Sequence, residues 1–88
     1  MRDRVAVVLL TQDHCKLCQH AKDVLARVGR DVSLSVDEVD LNSVRGLALA
    51  ARGGVLFPPG VFIDGEPFSY GRLSERKLRR ELSRHAVR

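Results

Sequence analysis

The amino-acid sequence predicts an α/β fold in which three helices flank a four-stranded mixed sheet, in the order β-α-β-α-β-β-α. Three observations support this prediction. A continuous apolar run, Val5 to Leu10, precedes a segment with helical spacing. A second strand-like and a second helix-like segment follow. An Asp64-Gly65 pair then separates two short strand-like segments, which is typical of a hairpin. With 88 residues, the chain is expected to form one domain over residues 1–88.

The first strand and helix are expected over residues 4–11 and 15–28. Apolarity without alternation indicates a strand covered on both faces, and therefore a central, parallel-type strand. After Cys15 the apolar residues follow the spacing of one helix face. These residues are Leu17, Ala21, Val24, Leu25 and Val28. We expect Gly29 to end this helix in the left-handed C′ conformation.

The second strand is expected over residues 33–41. Its apolar residues alternate in two opposite phases, Leu34 with Val36 and then Val39 with Leu41. A bulge or an early strand end near Asp37-Glu38 would explain the change of phase.

A short second helix is expected to follow, capped by Asn42 or Ser43 and running to about Arg52. Gly53-Gly54 would end it, although Gly46 in its interior is unfavourable for a helix.

Residues 61–64 and 66–70 are expected to form the hairpin. Pro67 has no N–H to donate, which favours an edge position for the last strand. The aromatic residues of that strand, Phe68 and Tyr70, are expected to be structural.

The last helix is expected to begin after Ser74, with Glu75 in its first turn. Its apolar line is Leu78, Leu82 and Ala86. Seven basic residues lie between residues 72 and 88, within a chain of formal net charge +4. A solvated polar face is the expected interpretation, and contact with an acidic protein or nucleic acid is the alternative. The chain carries no nucleic-acid-binding motif, and His85 is expected to interact with the helix dipole at most.

The residues most suited to catalytic chemistry are Cys15 and Cys18, which form a Cys-x-x-Cys motif at the predicted start of the first helix. Unpaired N–H groups and the helix dipole stabilise a thiolate there, and such motifs lower a cysteine pKa from about 8.5 to about 3.5–7.5. Cys18 is one turn further on and can close a disulfide with Cys15. His14 and Lys16 would favour the thiolate further if protonated.

A metal site is the alternative for the same segment. Zinc accepts two thiolates and two imidazoles, which Cys15, Cys18, His14 and His20 could supply. Four ligands within seven positions, several of them helical, would form a tetrahedron poorly. We therefore predict no metal, and expect His20 to be a solvent-exposed helix residue.

A second signal lies about forty residues downstream, in Pro58-Pro59-Gly60-Val61-Phe62-Ile63-Asp64-Gly65. With the Cys-x-Leu-Cys motif, this segment resembles the glutaredoxin-like members of the thioredoxin superfamily, and the resemblance covers residues 4–85. It implies a thioredoxin-like fold in which Pro59 is the family's cis-proline, facing the Cys pair. It further implies that Cys15 attacks a substrate disulfide and that Cys18 resolves the mixed disulfide.

Four departures from the family pattern fall on the surface that binds glutathione in glutaredoxins. Gln12 replaces a common lysine, Leu17 replaces an aromatic residue between the cysteines, and Pro58 has no N–H to offer the substrate. The family's Gly-Gly…Asp signature is reduced to Gly71 followed by Arg72, which could restore a positive charge. The predicted substrate-binding residues are Gln12, His14, Lys16, Leu17, Pro58, Pro59, Gly71 and Arg72.

Together these features predict a thiol–disulfide oxidoreductase that reduces protein disulfides or mixed disulfides with a low-molecular-weight thiol. No organic cofactor is required. A binding module without catalysis, or a metal-binding protein, are the alternatives. No apolar run approaches the ~20 residues that span a bilayer, and no signal-peptide pattern is present. We therefore expect a cytoplasmic monomer with no membrane partner.

Overall fold

A computed structural model describes residues 4–86 and contains four strands and three helices in the predicted order. The strands are β1 (Val5–Thr11), β2 (Leu34–Asp40), β3 (Gly60–Ile63) and β4 (Glu66–Tyr70), and the helices are α1 (Lys16–Val28), α2 (Val44–Gly53) and α3 (Glu75–Ala86). The predicted element bounds agree to within one or two residues. Among residues 4–86, no helix has the length and apolarity needed to cross a membrane.

The strands form one mixed sheet in the order β2-β1-β3-β4. β1 is parallel to β2 and antiparallel to β3, and β3 and β4 form the antiparallel hairpin. The predictions of a central first strand and of an edge position for the strand with Pro67 are both confirmed.

Two apolar clusters cover the two faces of this sheet. Val7 and Leu9 of β1 face one cluster, which contains buried residues of α1 and α3. Leu10 faces the other cluster, in which Phe62 of β3 packs near Leu49 of α2. Because both faces of β1 are covered, its sequence is apolar without alternation.

The prediction of a bulge or an early end in the second strand is wrong. β1 and β2 pair without interruption from Val5↔Leu34 to Thr11↔Asp40. The apolar residues change phase because Leu34 packs on the cluster of α1 and α3, whereas Val39 belongs to the cluster on the α2 face. The sheet does contain a register shift, but it lies between β3 and β4, at Val61/Phe62.

The predicted left-handed conformation of Gly29 is also wrong, because its φ is −63°. The chain continues past α1 in further turns, with the N–H groups of Asp31 and Val32 both donating to the carbonyl oxygen of Val28. A close backbone contact favours the glycine instead, since a Cβ at this position would lie 3.0 Å from the carbonyl oxygen of Leu25.

Both ends of α2 agree with the prediction. The Ser43 hydroxyl accepts a hydrogen bond from the N–H of Gly46, and Gly54 ends the helix with a φ of 67°. The unfavourable Gly46 has a packing reason, because a Cβ there would overlap the carbonyl oxygen of Asp40. The helix can therefore lie against the end of β2 only with glycine at this position.

The helix α3 begins after Ser74, whose hydroxyl accepts a hydrogen bond from the N–H of Lys77 at 3.2 Å. Arg79 and Arg27 donate to Glu75, which lowers the pKa of that carboxyl and ties α1 to α3. Leu78 and Leu82 are fully buried, as predicted. The side chain of Ala86 lies outside the described residues.

The expectation for His85 needs correction, because this side chain has two specific partners. Its Nδ1 lies 2.8 Å from Asp64 and its Nε2 lies 2.9 Å from Glu81. These carboxylates, Glu81 first and then Asp64, raise the pKa of His85 above its ordinary value. The imidazole therefore connects the end of α3 to the turn between β3 and β4.

Candidate active site

The chain turns sharply between the end of β1 and the start of α1. His14 has a φ of 56°, in the left-handed region that a residue with a side chain rarely adopts. The next residue, Cys15, is extended (φ −112°, ψ 109°) and caps α1. Its Sγ accepts a hydrogen bond from the N–H of Cys18 at 3.1 Å. A helix N-terminus that donates N–H groups to sulfur also stabilises a thiolate at that position.

Cys15 and Cys18 are joined as a disulfide, with their Cα atoms 5.2 Å apart. The two residues differ in accessibility. Cys15 is half-buried, whereas Cys18 faces the core with 2% of its surface exposed. A reagent in solution can therefore reach the first sulfur more easily than the second.

Two cavities, with volumes of about 340 and 480 Å³, lie on different sides of α1. The larger of the two adjoins the disulfide. The larger cavity is lined by Gln12, Asp13, His14, Cys15, Lys16, Cys18, Gln19 and Lys22. Three predicted substrate-binding residues (Gln12, His14 and Lys16) are among them. The sequence reasoning missed Gln19 and Lys22, although they follow Cys15 by four and seven positions, the spacing of one helix face. Lys22 also forms an ion pair with Glu38 at 3.5 Å.

Pro59 lies at the same end of the sheet as the disulfide. The peptide bond between Pro58 and Pro59 is cis, and Pro59 is fully buried. Its carbonyl oxygen accepts a hydrogen bond from the N–H of Gly71 at 2.8 Å. Continuing the β1–β3 register one residue beyond Leu10↔Gly60 places Pro59 beside Thr11, at the end of β1.

The other predicted substrate-binding residues are more dispersed. Pro58 and Leu17 are half-buried. Arg72 is exposed and lines the 340 Å³ cavity between α1 and α3, away from the cavity beside Cys15. The residues that line this second cavity are His20, Val24, Arg27, Arg72, Leu73, Ser74 and Glu75.

His20 differs from its prediction as an exposed residue. It is half-buried, and its Nδ1 is enclosed without a hydrogen-bond partner. Because α1 packs beside α3, this face of the helix is covered at the position of His20. Within residues 4–86, no group of three or more His, Cys, Asp or Glu side chains is arranged to hold a metal ion.

Both the sequence and the fold of this chain resemble those of known proteins. The model of a glutaredoxin-like domain (DUF836) matches residues 6–83. A mutant thioredoxin from Halobacterium salinarum NRC-1 superimposes with a TM-score of 0.71 and 23% sequence identity, covering 98% of this chain and 78% of that chain. A malarial protein superimposes with a TM-score of 0.70 and 17% identity, covering 96% of this chain and 99% of that chain. No curated protein matches the sequence.

Proposed function

Since the chain belongs to the glutaredoxin-like domain (DUF836) family and has a thioredoxin-like fold, we propose that it is a thiol–disulfide oxidoreductase. Its substrates are protein disulfides or mixed disulfides with a small thiol. The observation that carries the proposal is the asymmetry of the disulfide. Cys15 is accessible and caps α1, whereas Cys18 is buried one turn behind it.

This asymmetry assigns the two steps of the exchange. In the reduced protein, the Cys15 thiolate attacks one sulfur of the substrate disulfide and forms a mixed disulfide, and the other substrate sulfur leaves as a thiolate. Cys18 then loses its proton and attacks the Sγ of Cys15, which expels the second substrate thiolate. The protein has given two electrons to the substrate, the two substrate thiolates take up the protons that Cys15 and Cys18 released, and the Cys15–Cys18 disulfide remains.

The N–H of Cys18 supports the first step. It donates to the Sγ of Cys15 in the oxidised protein, and the same donor lies in reach of a Cys15 thiolate. A hydrogen bond to a charged sulfur is stronger than one to a neutral sulfur, so this contact favours the anion. Lys16 and Lys22 line the adjoining cavity and add positive charge near the leaving thiolate.

A redox titration tests the proposal directly. The protein is equilibrated in thiol–disulfide buffers of known potential, free thiols are alkylated, and the intact mass is measured. We expect one two-electron transition between the dithiol and the Cys15–Cys18 disulfide, at roughly −180 to −280 mV. Cys15→Ser should abolish exchange with a substrate disulfide. If no intramolecular disulfide forms at any accessible potential, the dithiol mechanism is wrong.

A further inference from the structure

The side of α3 that faces solvent carries positive charge and no negative charge. Successive residues of a helix are about 100° apart, so part of α3 projects directly away from the buried Leu78 and Leu82. The exposed residues on this side are Arg76, Lys77, Arg80, Ser83 and Arg84. We call the four basic residues among them, Arg76, Lys77, Arg80 and Arg84, the basic face.

The two carboxylates of α3 are already engaged elsewhere. Glu75 accepts hydrogen bonds from Arg27 and Arg79, on the side of the helix that packs beside α1. Glu81 lies 2.9 Å from the Nε2 of His85. The acidic residues of this helix therefore compensate charges beside the basic face rather than on it.

The basic face itself has few partners. In the described part of the chain, the side chains of Arg76, Lys77 and Arg80 form no ion pair. Arg84 lies 3.4 Å from Glu81, but 73% of its side chain stays exposed. Like charges four residues apart destabilise a helix, and Arg76, Arg80 and Arg84 have this spacing. The stability of α3 therefore does not explain the basic face.

The spacing of the arginines matches that of carboxylates on another helix. Arg76, Arg80 and Arg84 recur every four residues, which corresponds to about 6 Å of axial rise per step. Glu side chains that recur every four residues on a partner helix have the same repeat. A guanidinium binds a carboxylate through two parallel hydrogen bonds, so successive pairs can form along two adjacent helices. A surface with charge of one sign also attracts an oppositely charged partner before contact.

Nucleic acid is the other anionic macromolecule that such a face could attract. Proteins that hold single strands stack the bases on aromatic side chains, and α3 carries none. Affinity for a duplex depends on the number of phosphates that are neutralised, and four side chains on one helix provide few such contacts. The observations therefore favour an acidic protein.

We propose that the basic face of α3 binds an acidic helical segment of a partner protein, in which carboxylates recur every four residues. None of the four basic side chains lines the cavity beside Cys15, so the basic face is a surface separate from the exchange reaction. Because its side chains are exposed, binding should weaken as the salt concentration rises.

Fluorescence polarisation tests this with a labelled helical peptide that has Glu at every fourth position. A second peptide has Gln in place of every Glu. For the unmodified protein at low salt, we expect the Glu peptide to bind about tenfold more tightly, the combined effect of a few exposed ion pairs. The preference should disappear near 1 M salt, where the Debye length falls to about 3 Å.

Arg80→Glu places a like charge in the middle of the basic face and should weaken binding of the Glu peptide about tenfold. The variant should fold, because the new carboxylate is four residues from both Arg76 and Arg84, and it should exchange bis(2-hydroxyethyl) disulfide at the unmodified rate. Arg45→Glu is the matched control, with the same change of charge on α2, across the sheet from α3. It should alter binding about twofold or less, because charges more than about 10 Å apart are largely screened.

Three outcomes would overturn the inference. Equal binding of the Glu and Gln peptides would reject an acidic partner. Equal losses in Arg80→Glu and Arg45→Glu would show that net charge, rather than the basic face, attracts the peptide. A labelled DNA duplex that binds more tightly than the Glu peptide, and is lost in Arg80→Glu, would identify nucleic acid as the occupant. Each outcome leaves exchange at Cys15 unaffected, since the redox titration tests that reaction separately.

Discussion

At one end of the sheet, where β1 leads into α1, the Cys15–Cys18 disulfide adjoins a cavity of 480 Å³, and exposed apolar side chains lie nearby. At the opposite end, Asp64 accepts a hydrogen bond from the N–H of Ala6 and lies 2.8 Å from His85. The ion pair near the disulfide, Lys22 with Glu38, is long at 3.5 Å and exposed. The contacts of His85 are short and only about a fifth of its side chain is exposed.

Under the proposed oxidoreductase function, this difference separates two roles, access at one end of the sheet and stability at the other. The end with the disulfide keeps polar and apolar groups accessible, which a reaction with a second molecule requires. The opposite end joins α3, the β3–β4 turn and the start of β1 through charged hydrogen bonds, which favours stability over access. Substitutions of accessible side chains at the first end should therefore change exchange more than folding, and substitutions of the charged partners at the second end should do the reverse.

The largest expected effect is that of Cys18→Ser at the disulfide end. Without the second thiol, a mixed disulfide on Cys15 has no intramolecular route to release, so it should persist roughly 100-fold longer or more. Intact-mass analysis of the protein after reaction with a small disulfide measures this adduct. Cys15→Ser is the control and should form no adduct. An adduct on Cys18 in that control would reverse the assignment of the two cysteines.

Two glycines with positive φ allow a matched comparison of the two ends. Gly65 (φ 85°) has open space around it, whereas Gly71 (φ 78°) meets the Phe57 ring. Gly65→Ala should lower the free energy of unfolding by about 1 kcal/mol, the cost of a left-handed alanine. Gly71→Ala should cost about 2 kcal/mol, because the ring must also move, and it should change exchange kinetics as well. Urea denaturation measures both, and equal losses would contradict the close packing of Phe57 on Gly71.

The opposite end should show a pH-dependent contribution to stability. The carboxylates of Glu81 and Asp64 raise the folded-state pKa of His85, so protonated His85 favours the folded state. This contribution should be complete below the ordinary pKa near 6.5 and should be lost as the pH rises through the raised folded-state value. We expect about 1 kcal/mol.

Urea denaturation between about pH 5 and pH 9 measures this effect, with His85→Gln as the comparison. The difference in stability between the two proteins should be largest at the acidic end of the range and should shrink towards the alkaline end. A constant difference would show that the imidazole acts without its charge. Exchange rates per folded molecule should be the same in both proteins, because His85 is remote from the disulfide.

The smallest effect on stability is expected for Lys22→Met at the disulfide end. Its ion pair with Glu38 is exposed, with 39% and 52% of the two side chains accessible, so its loss should cost about 0.3 kcal/mol or less. Thermal or urea denaturation at low and moderate salt measures this. A loss several times larger would show that the disulfide end also depends on charged contacts, and would weaken the comparison.

Much of the fold follows from patterns between neighbouring residues. A cap at Asn42 or Ser43, the cap at Ser74, the end of α2 at Gly53-Gly54 and the edge position of the strand with Pro67 were all predicted from the sequence. The same is true of the Cys pair at the start of α1. Each of these features depends on hydrogen bonds or backbone preferences within a few positions, so the local sequence carries enough information to identify them.

Other features depend on which distant segments pack together, and the sequence could not show them. The change of phase in β2 reflects two different clusters on the two faces of the sheet, and the partial burial of His20 reflects the packing of α3 beside α1. The contact of Phe57 with Gly71 joins segments that are separate in the chain.

Local sequence patterns and long-range packing therefore differ in the distance along the chain over which they act. Propensity, capping and the spacing of apolar residues act over one or two turns, and they determined the order of the elements and the position of the reactive sulfurs. Long-range packing determined the surroundings of those sulfurs: the cavity lined by Gln19 and Lys22, the separation of Arg72 from it, and the packing of Phe57 against Tyr70. The Cys pair is encoded locally, but the surfaces around it form only when the sheet and helices assemble.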